Sequence, residues 1–351
     1  MATPALLCPR VAVLRIALLL LLIACPQPAS SAEKVTLALN WKAQPELGGF
    51  YQALAAGHYK DRGLDVTIRV GGPMINNRPL LPVGKADFLI GTNLIPAFDV
   101  VKQKIPTRFV AAFFQRDPQC LIAHADGPVK EWADLKKAPL MLGAPGRHSF
   151  FLWLESAHGF DRSLIRPYNH NLAPFLVNKG WAVQGYATAE PQRVREASGA
   201  EPRVFLLADN GWQSYSTVLE TRQDLIDEKP ELVQAFVDAS IVGWYEYLYG
   251  DAATANELIL AENADMTPSQ IDYSIEMMRK WGLVDSGDTL EKGLGAIDGH
   301  RVASFVKTMT KAGLYKEGEI DPTDSYDDRF VNKGVGLDRR DELLLEAPTG
   351  P

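Results

Sequence analysis

The loop Asn40-Trp41-Lys42-Ala43-Gln44-Pro45-Glu46-Leu47-Gly48-Gly49-Phe50-Tyr51 gathers aromatic and polar side chains in one short stretch. Trp41 and Tyr51 offer flat π faces to a planar ligand, and Gln44 and Glu46 offer polar edges. Core packing is the alternative for Trp41 and Phe50. Gly91-Thr92-Asn93 ends an apolar run, so Thr92 and Asn93 can hydrogen-bond a ring nitrogen or carbonyl, or simply cap the helix that follows. In Gly143-Ala144-Pro145-Gly146-Arg147-His148-Ser149, free amides, Gly146 and Arg147 suit an anionic group, with a plain turn as the alternative. This segment lacks the spacing of a phosphate or dinucleotide loop. Tyr186 and Glu190 follow another strand, and a carboxylate there can pair with an amino group beside a protonated ring nitrogen. The alternative for Glu190 is a helix-start acid favoured by the dipole, with Pro191 in the first turn. Tyr215 is a further candidate.

These segments need a frame. Val35–Asn40, Asp65–Val70 and Ala86–Ile90 read as strands, separated by helical stretches at Gly49–Gly57 and Asn77–Gly84. Strand alternating with helix predicts an α/β fold with parallel sheets. Phe109–Phe114 and Cys120–Ala123 are further apolar runs, and a second α/β set covers Leu140–Gly143, Ser149–His158, Trp181–Tyr186 and Val204–Leu207. From Pro230 the chain is mostly helical, with Glu231–Tyr249, Pro268–Lys280 and Arg301–Ala312. The expectation is two lobes, 33–118 with 225–338 and 119–224, crossed near 117–121 and again near 220–225, with a frayed tail at 339–351. A ligand then sits between the lobes, against loops leaving the C-terminal ends of strands.

The chain has 351 residues, enough for two domains, and a formal net charge of −7. That balance and the lack of a long basic run exclude general nucleic-acid binding. Cys8, Cys25 and Cys120 are too few and scattered for a thiolate zinc site or iron–sulfur cluster, and the six histidines show no metal spacing. No Gly-x-Ser-x-Gly elbow occurs, and Asp327-Asp328 reads as solvated surface. No cofactor is expected. Residues 1–32 read as an export signal: Arg10 and Arg15, the apolar run Ile16–Ala24, then small residues. Cleavage before Glu33 competes with a lipobox reading of Leu22-Ile23-Ala24-Cys25, which leaves Cys25 lipidated. Export with one remaining thiol, Cys120, leaves stability to the core rather than to disulfides.

Leu39-Asn40-Trp41, Tyr51 ten residues on, and Gly57-His58-Tyr59 leading to Gly63-Leu64-Asp65-Val66 resemble the THI5-like family. Gly185-Tyr186 with Glu190-Pro191, Leu206-Leu207-Ala208-Asp209 and Phe330-Val331-Asn332-Lys333-Gly334 extend the resemblance over about 34–338. It implies a type II periplasmic-binding-protein fold and a monomer that hands a small molecule to an ABC importer's permease. Thiamine-pyrimidine precursors come first, with taurine, other sulfonates, nitrate or riboflavin as alternatives. In the family's fungal enzymes a histidine six residues after the matching tryptophan reacts; here Leu47 stands there, and the iron-binding cysteines are missing. The resemblance therefore implies a binder rather than an enzyme.

Overall fold

A computed structural model describes residues 32–346. Residues 1–31 of the expected export signal, Cys25 among them, lie outside that range. Alternation in β2 (Leu64–Arg69) and mostly buried apolar runs in β1 (Glu33–Ala38), β3 (Phe88–Asn93) and β4 (Thr107–Phe114) build a first sheet. A second sheet holds β5 (Gln119–Ala123), β6 (Leu140–Leu142), β7 (Ile165–Pro167), β8 (Ala182–Tyr186) and β9 (Arg203–Leu206). The last strand, β10 (Ser216–Arg222), returns to the first sheet, and the two orders are β2-β1-β3-β10-β4 and β7-β6-β8-β5-β9. β1 runs parallel to β2 and β3, as β6 does to β7 and β8. In each sheet the antiparallel strand is the one that enters from the other lobe: β5 from β4, and β10 from β9. This is the two-lobed type II periplasmic-binding-protein architecture.

The register orients the lobes. Ser216, at the start of β10, pairs with both Asn93 and Phe114, and Gln119 pairs with Tyr186. The C-terminal ends of β3, β4 and β8 therefore lie at the edge where the chain crosses, facing the opposite lobe.

The second crossing comes earlier than expected. Val218-Leu219 belongs to the first lobe, so the chain returns over 207–215 rather than near 220–225, and the second lobe does not run to 224. Sequence order hides this, because β10 is wedged between strands laid down a hundred residues earlier. Its burial is nearly complete and includes Glu220, which is 1% exposed and accepts hydrogen bonds from the two terminal guanidinium nitrogens of Arg78 at 2.9 and 2.6 Å. Breaking such a pair from one side costs about 3–5 kcal/mol. Arg78 lies in the single turn Arg78–Leu80, where a longer helix over 77–84 was expected; Pro79 and the inward reach of Arg78 hold the segment irregular.

The principal helices are α1 (Gly48–Ala55), α2 (Leu94–Lys102), α3 (Phe150–His158), α4 (Glu190–Ser198), α5 (Pro230–Tyr249), α6 (Ala253–Glu262), α7 (Pro268–Lys280), α8 (Gly299–Lys311) and α9 (Leu337–Glu346). α5 is the spine of the first lobe. Phe236 stacks on Phe88 at 4.0 Å between centroids, and Trp244 packs edge-on against Phe50. α1 crosses it backbone to backbone: a Cβ on Gly49 would sit 2.1 Å from the Trp244 ring, and one on Gly243 2.5 Å from the Gly49 carbonyl. That contact pins the turn Pro45–Leu47 just before α1. The expected tail is a helix up to Glu346, because α9 buries Leu343 and ties Arg339 to Glu246 and Arg340 to Asp285, each at 3.2 Å.

Candidate functional site

Trp41 leaves the end of β1 half-buried and faces the second lobe, its ring centroid 6.1 Å from that of His170. Glu46, in the turn before α1, is 5% exposed, and its carboxylate accepts a hydrogen bond from the Thr188 hydroxyl of the second lobe. Burial pushes the Glu46 carboxyl above its ordinary range and nearby Glu190 adds to this, while the bond from Thr188 pulls the other way. The Tyr247 hydroxyl, close enough to feel the charge of Glu46, is buried with no hydrogen-bond partner among the described residues.

From the second lobe come Tyr186 and Glu190. Glu190 opens α4, and its carboxylate turns back to accept the Tyr186 backbone N–H at 2.7 Å, with Arg193 3.8 Å away. This is the helix-start geometry of the alternative sequence reading, and it sets the acid at the lobe edge. Burial raises the Tyr186 phenol, with Asp117, Glu46 and Glu190 adding to it. The segment between them and the first turn of α4 are tied across the gap: Ser274 of α7 donates to the Thr188 carbonyl at 2.8 Å, and Gln192 donates to the Ser269 hydroxyl at 2.8 Å. Trp41, Glu46, Tyr186 and Glu190 therefore meet where the lobes face each other.

Other expected residues go elsewhere. Tyr51 is 1% exposed and its hydroxyl donates to Glu262 of α6, so it packs the first lobe's interior. Asn93 caps α2 by accepting the Ile95 N–H at 3.0 Å, the plainer of its two readings. Thr92 is exposed at the end of β3, and its carbonyl accepts from Ser216 at 2.6 Å. Gly146 is a packing glycine: an added Cβ would lie 2.6 Å from Gln184 Oε1 and 3.0 Å from Phe150. The Gly143 N–H already donates to Gln184 Oε1 at 2.7 Å, and Arg147 folds onto the Leu142 carbonyl at 3.2 Å through two nitrogens. The anion cradle expected at 143–147 is therefore occupied by the lobe's own groups. Tyr215 belongs to the second crossing, with Arg301 4.0 Å above its ring and its hydroxyl accepting the Asp298 N–H at 3.0 Å. It borders a cavity of about 390 Å³ together with Gln115, Trp212, Asp288 and Arg301, beside the crossings.

Sequence reasoning missed Thr188, Tyr168 and His170. Thr188 carries no pattern of its own, since its importance comes from Glu46, 142 residues away. Tyr168 and His170 follow β7, a strand too short for its periodicity to be seen, so the loop after it was not recognised as a strand end. Tyr168 is 7% exposed, and its ring lies 5.3 Å from His170.

Comparison with known proteins places the chain. The riboflavin-binding protein RibY of Chloroflexus aurantiacus is 26% identical over 93% of this chain and 98% of its own. Among solved structures, the periplasmic sulfonate-binding protein SsuA of Methylobacillus flagellatus KT superimposes with a TM-score of 0.58 at 17% identity, over 90% of this chain and 96% of that one. The desulfurization enzyme DSZB does so with a TM-score of 0.55 at 12% identity, over 89% and 99%. These structural likenesses establish the fold alone, a fold that carries both a binding protein and an enzyme. The model of the NMT1/THI5 like family matches residues 44–275, well over half the sequence, and the chain belongs to that family.

Proposed function

We propose that this protein is the exported substrate-binding component of an ABC importer, whose lobes close on a small flat nitrogen heterocycle. The observation that carries the reading is the meeting of Trp41 and Glu46 from one lobe with Tyr186 and Glu190 from the other. An indole face suits a planar ring, and carboxylates and a phenol suit its polar edge. Contacts drawn from both lobes make a bound ligand favour the closed state. Among the described residues no helix is long and apolar enough to cross a membrane.

Riboflavin is the first ligand to consider, supported by the likeness to RibY along nearly the whole chain. An aminopyrimidine of the thiamine-precursor type is the second, supported by the placement of Glu190 for an amino group and ring nitrogen. A sulfonate fits less well: two carboxylates face the gap, and the amide and arginine expected to hold an anion are engaged within the second lobe.

The test is a titration of the processed protein with riboflavin, hydroxymethylpyrimidine and taurine, followed by thermal melting and tryptophan fluorescence. A flat heterocycle is expected to raise the melting temperature as its concentration exceeds its Kd. Trp41→Ala should weaken that ligand about tenfold or more while leaving the fold intact. A response to taurine alone overturns the heterocycle reading.

A further inference from the structure

The loop after β7 reaches across the gap in a way the proposed ligand set does not use. The Tyr168 N–H donates to the Leu142 carbonyl at 3.1 Å, which fixes the residue at the end of β6 beside Gly143. Its ring is buried, yet its hydroxyl has no hydrogen-bond partner among the described residues. A phenol confined in this way normally finds an acceptor, because leaving it unpaired forfeits the bond it had with water. Burial raises this phenol and Glu190 raises it further, so it keeps its proton and stays a donor at any working pH.

Two residues on, His170 has φ of 66°, the left-handed region that a side chain other than glycine occupies at a cost. That backbone holds its exposed ring between two others, 5.3 Å from Tyr168 and 6.1 Å from Trp41. Three rings thus run from the second lobe to the first. Trp41 and His170, tilted at 45° with centroids 6.1 Å apart, are too close to admit a flat molecule between them. A ligand that stacks between these two rings has to part them.

We infer that Tyr168 and His170 are selectivity residues of the cleft: His170 and Trp41 form an aromatic gate, and the Tyr168 hydroxyl donates a hydrogen bond to the ligand. With Glu190 as the neighbouring acceptor, the pair recognises a heterocycle edge that carries an acceptor and a donor side by side, as in a lactam or an amidine. This rests on the heterocycle reading above.

Tyr168→Phe and His170→Gly test it, each titrated with riboflavin and with hydroxymethylpyrimidine beside the wild type, and each melted without ligand. Tyr168→Phe keeps the ring and should melt as the wild type does while binding about tenfold more weakly. His170→Gly relaxes the backbone, so it should melt no lower, yet release ligand several-fold faster. If the wild type binds a probe and both variants bind it equally well, this assignment is overturned and the heterocycle reading survives. A wild type that binds neither probe overturns both.

Discussion

The hinge and the cleft are built from the same kinds of residues and use them differently. At the crossings the polar groups that join the two segments are satisfied from within, although Gln119 Oε1 is buried without a partner among the described residues. Arg301 of α8 donates to the Gln115 carbonyl at 2.6 Å, to Gln213 at 2.9 Å and to Ser214 at 3.1 Å, fastening both crossing segments with one guanidinium. Asp117 accepts from Trp212 Nε1 at 2.8 Å and from the Gln119 N–H at 3.0 Å. Arg116 reaches the Trp281 carbonyl at 2.8 Å and also pairs with Asp209. In the cleft, by contrast, the Tyr168 and Tyr247 hydroxyls are buried without partners among the described residues, and Glu46 is held by one hydroxyl from the opposite lobe. The difference lies in what holds each part: one guanidinium and one carboxylate bind the two crossings to each other, whereas few side-chain bonds hold the facing groups of the lobes, which leaves donors there able to take a new partner.

The sharpest way to break this contrast is Arg301→Met. It leaves three carbonyls of the crossings without their donor, and is expected to cost about 2–4 kcal/mol in urea denaturation. A loss well under 1 kcal/mol would mean that the crossings hold themselves.

Next is the pH dependence of Asp117, whose carboxyl burial pushes up to about 6 from 3.8, against the pull of Trp212 and Gln119. The folded state holds this proton more tightly than the unfolded chain does. Its contribution to stability is therefore full below about pH 4 and lost as the pH rises through about 6, a change on the order of 2–3 kcal/mol. Asp117→Asn should remove that component of the stability profile between pH 4 and 7. An unchanged slope would show that the carboxylate is better solvated than its 1% exposure implies.

The smallest effect belongs to the cleft. Since burial disfavours the charged form of Glu46, Glu46→Gln should stabilise the ligand-free protein at neutral pH by roughly 1 kcal/mol. The same change should weaken binding of a heterocycle. A variant that is both less stable and equally good at binding would make Glu46 a structural tie to Thr188 rather than a ligand group.

Much of the frame could be read from residue order. The strands around Leu37, Val66, Ile90, Val110 and Val183 announced themselves because alternation and apolar runs are local properties. So did α5 and α7, the latter with Thr267 accepting the Gln270 N–H as its cap. Local chemistry also foresaw both roles of Asn93 and of Glu190, and could not choose between them. For Asn93 the structure takes the cap; for Glu190 it keeps the helix-start geometry and adds proximity to Glu46. Tyr51 misled because a tyrosine one turn into a helix after a ligand loop looks the same whether its hydroxyl points to a cleft or to Glu262.

By itself, then, the order of residues determined two α/β lobes, the strand ends that face one another, and the aromatic and acidic character of the loops there. These follow from periodicity and composition, which act over a few residues at a time. Only the tertiary structure decided that β10 closes the first sheet, that Gly143 and Arg147 are spent within their own lobe, and that Glu46 meets Thr188 while Trp41 meets His170. Each of these depends on which buried groups find partners, and in several cases the partner lies more than a hundred residues away. That is a competition for hydrogen bonds and space resolved only when the whole chain packs.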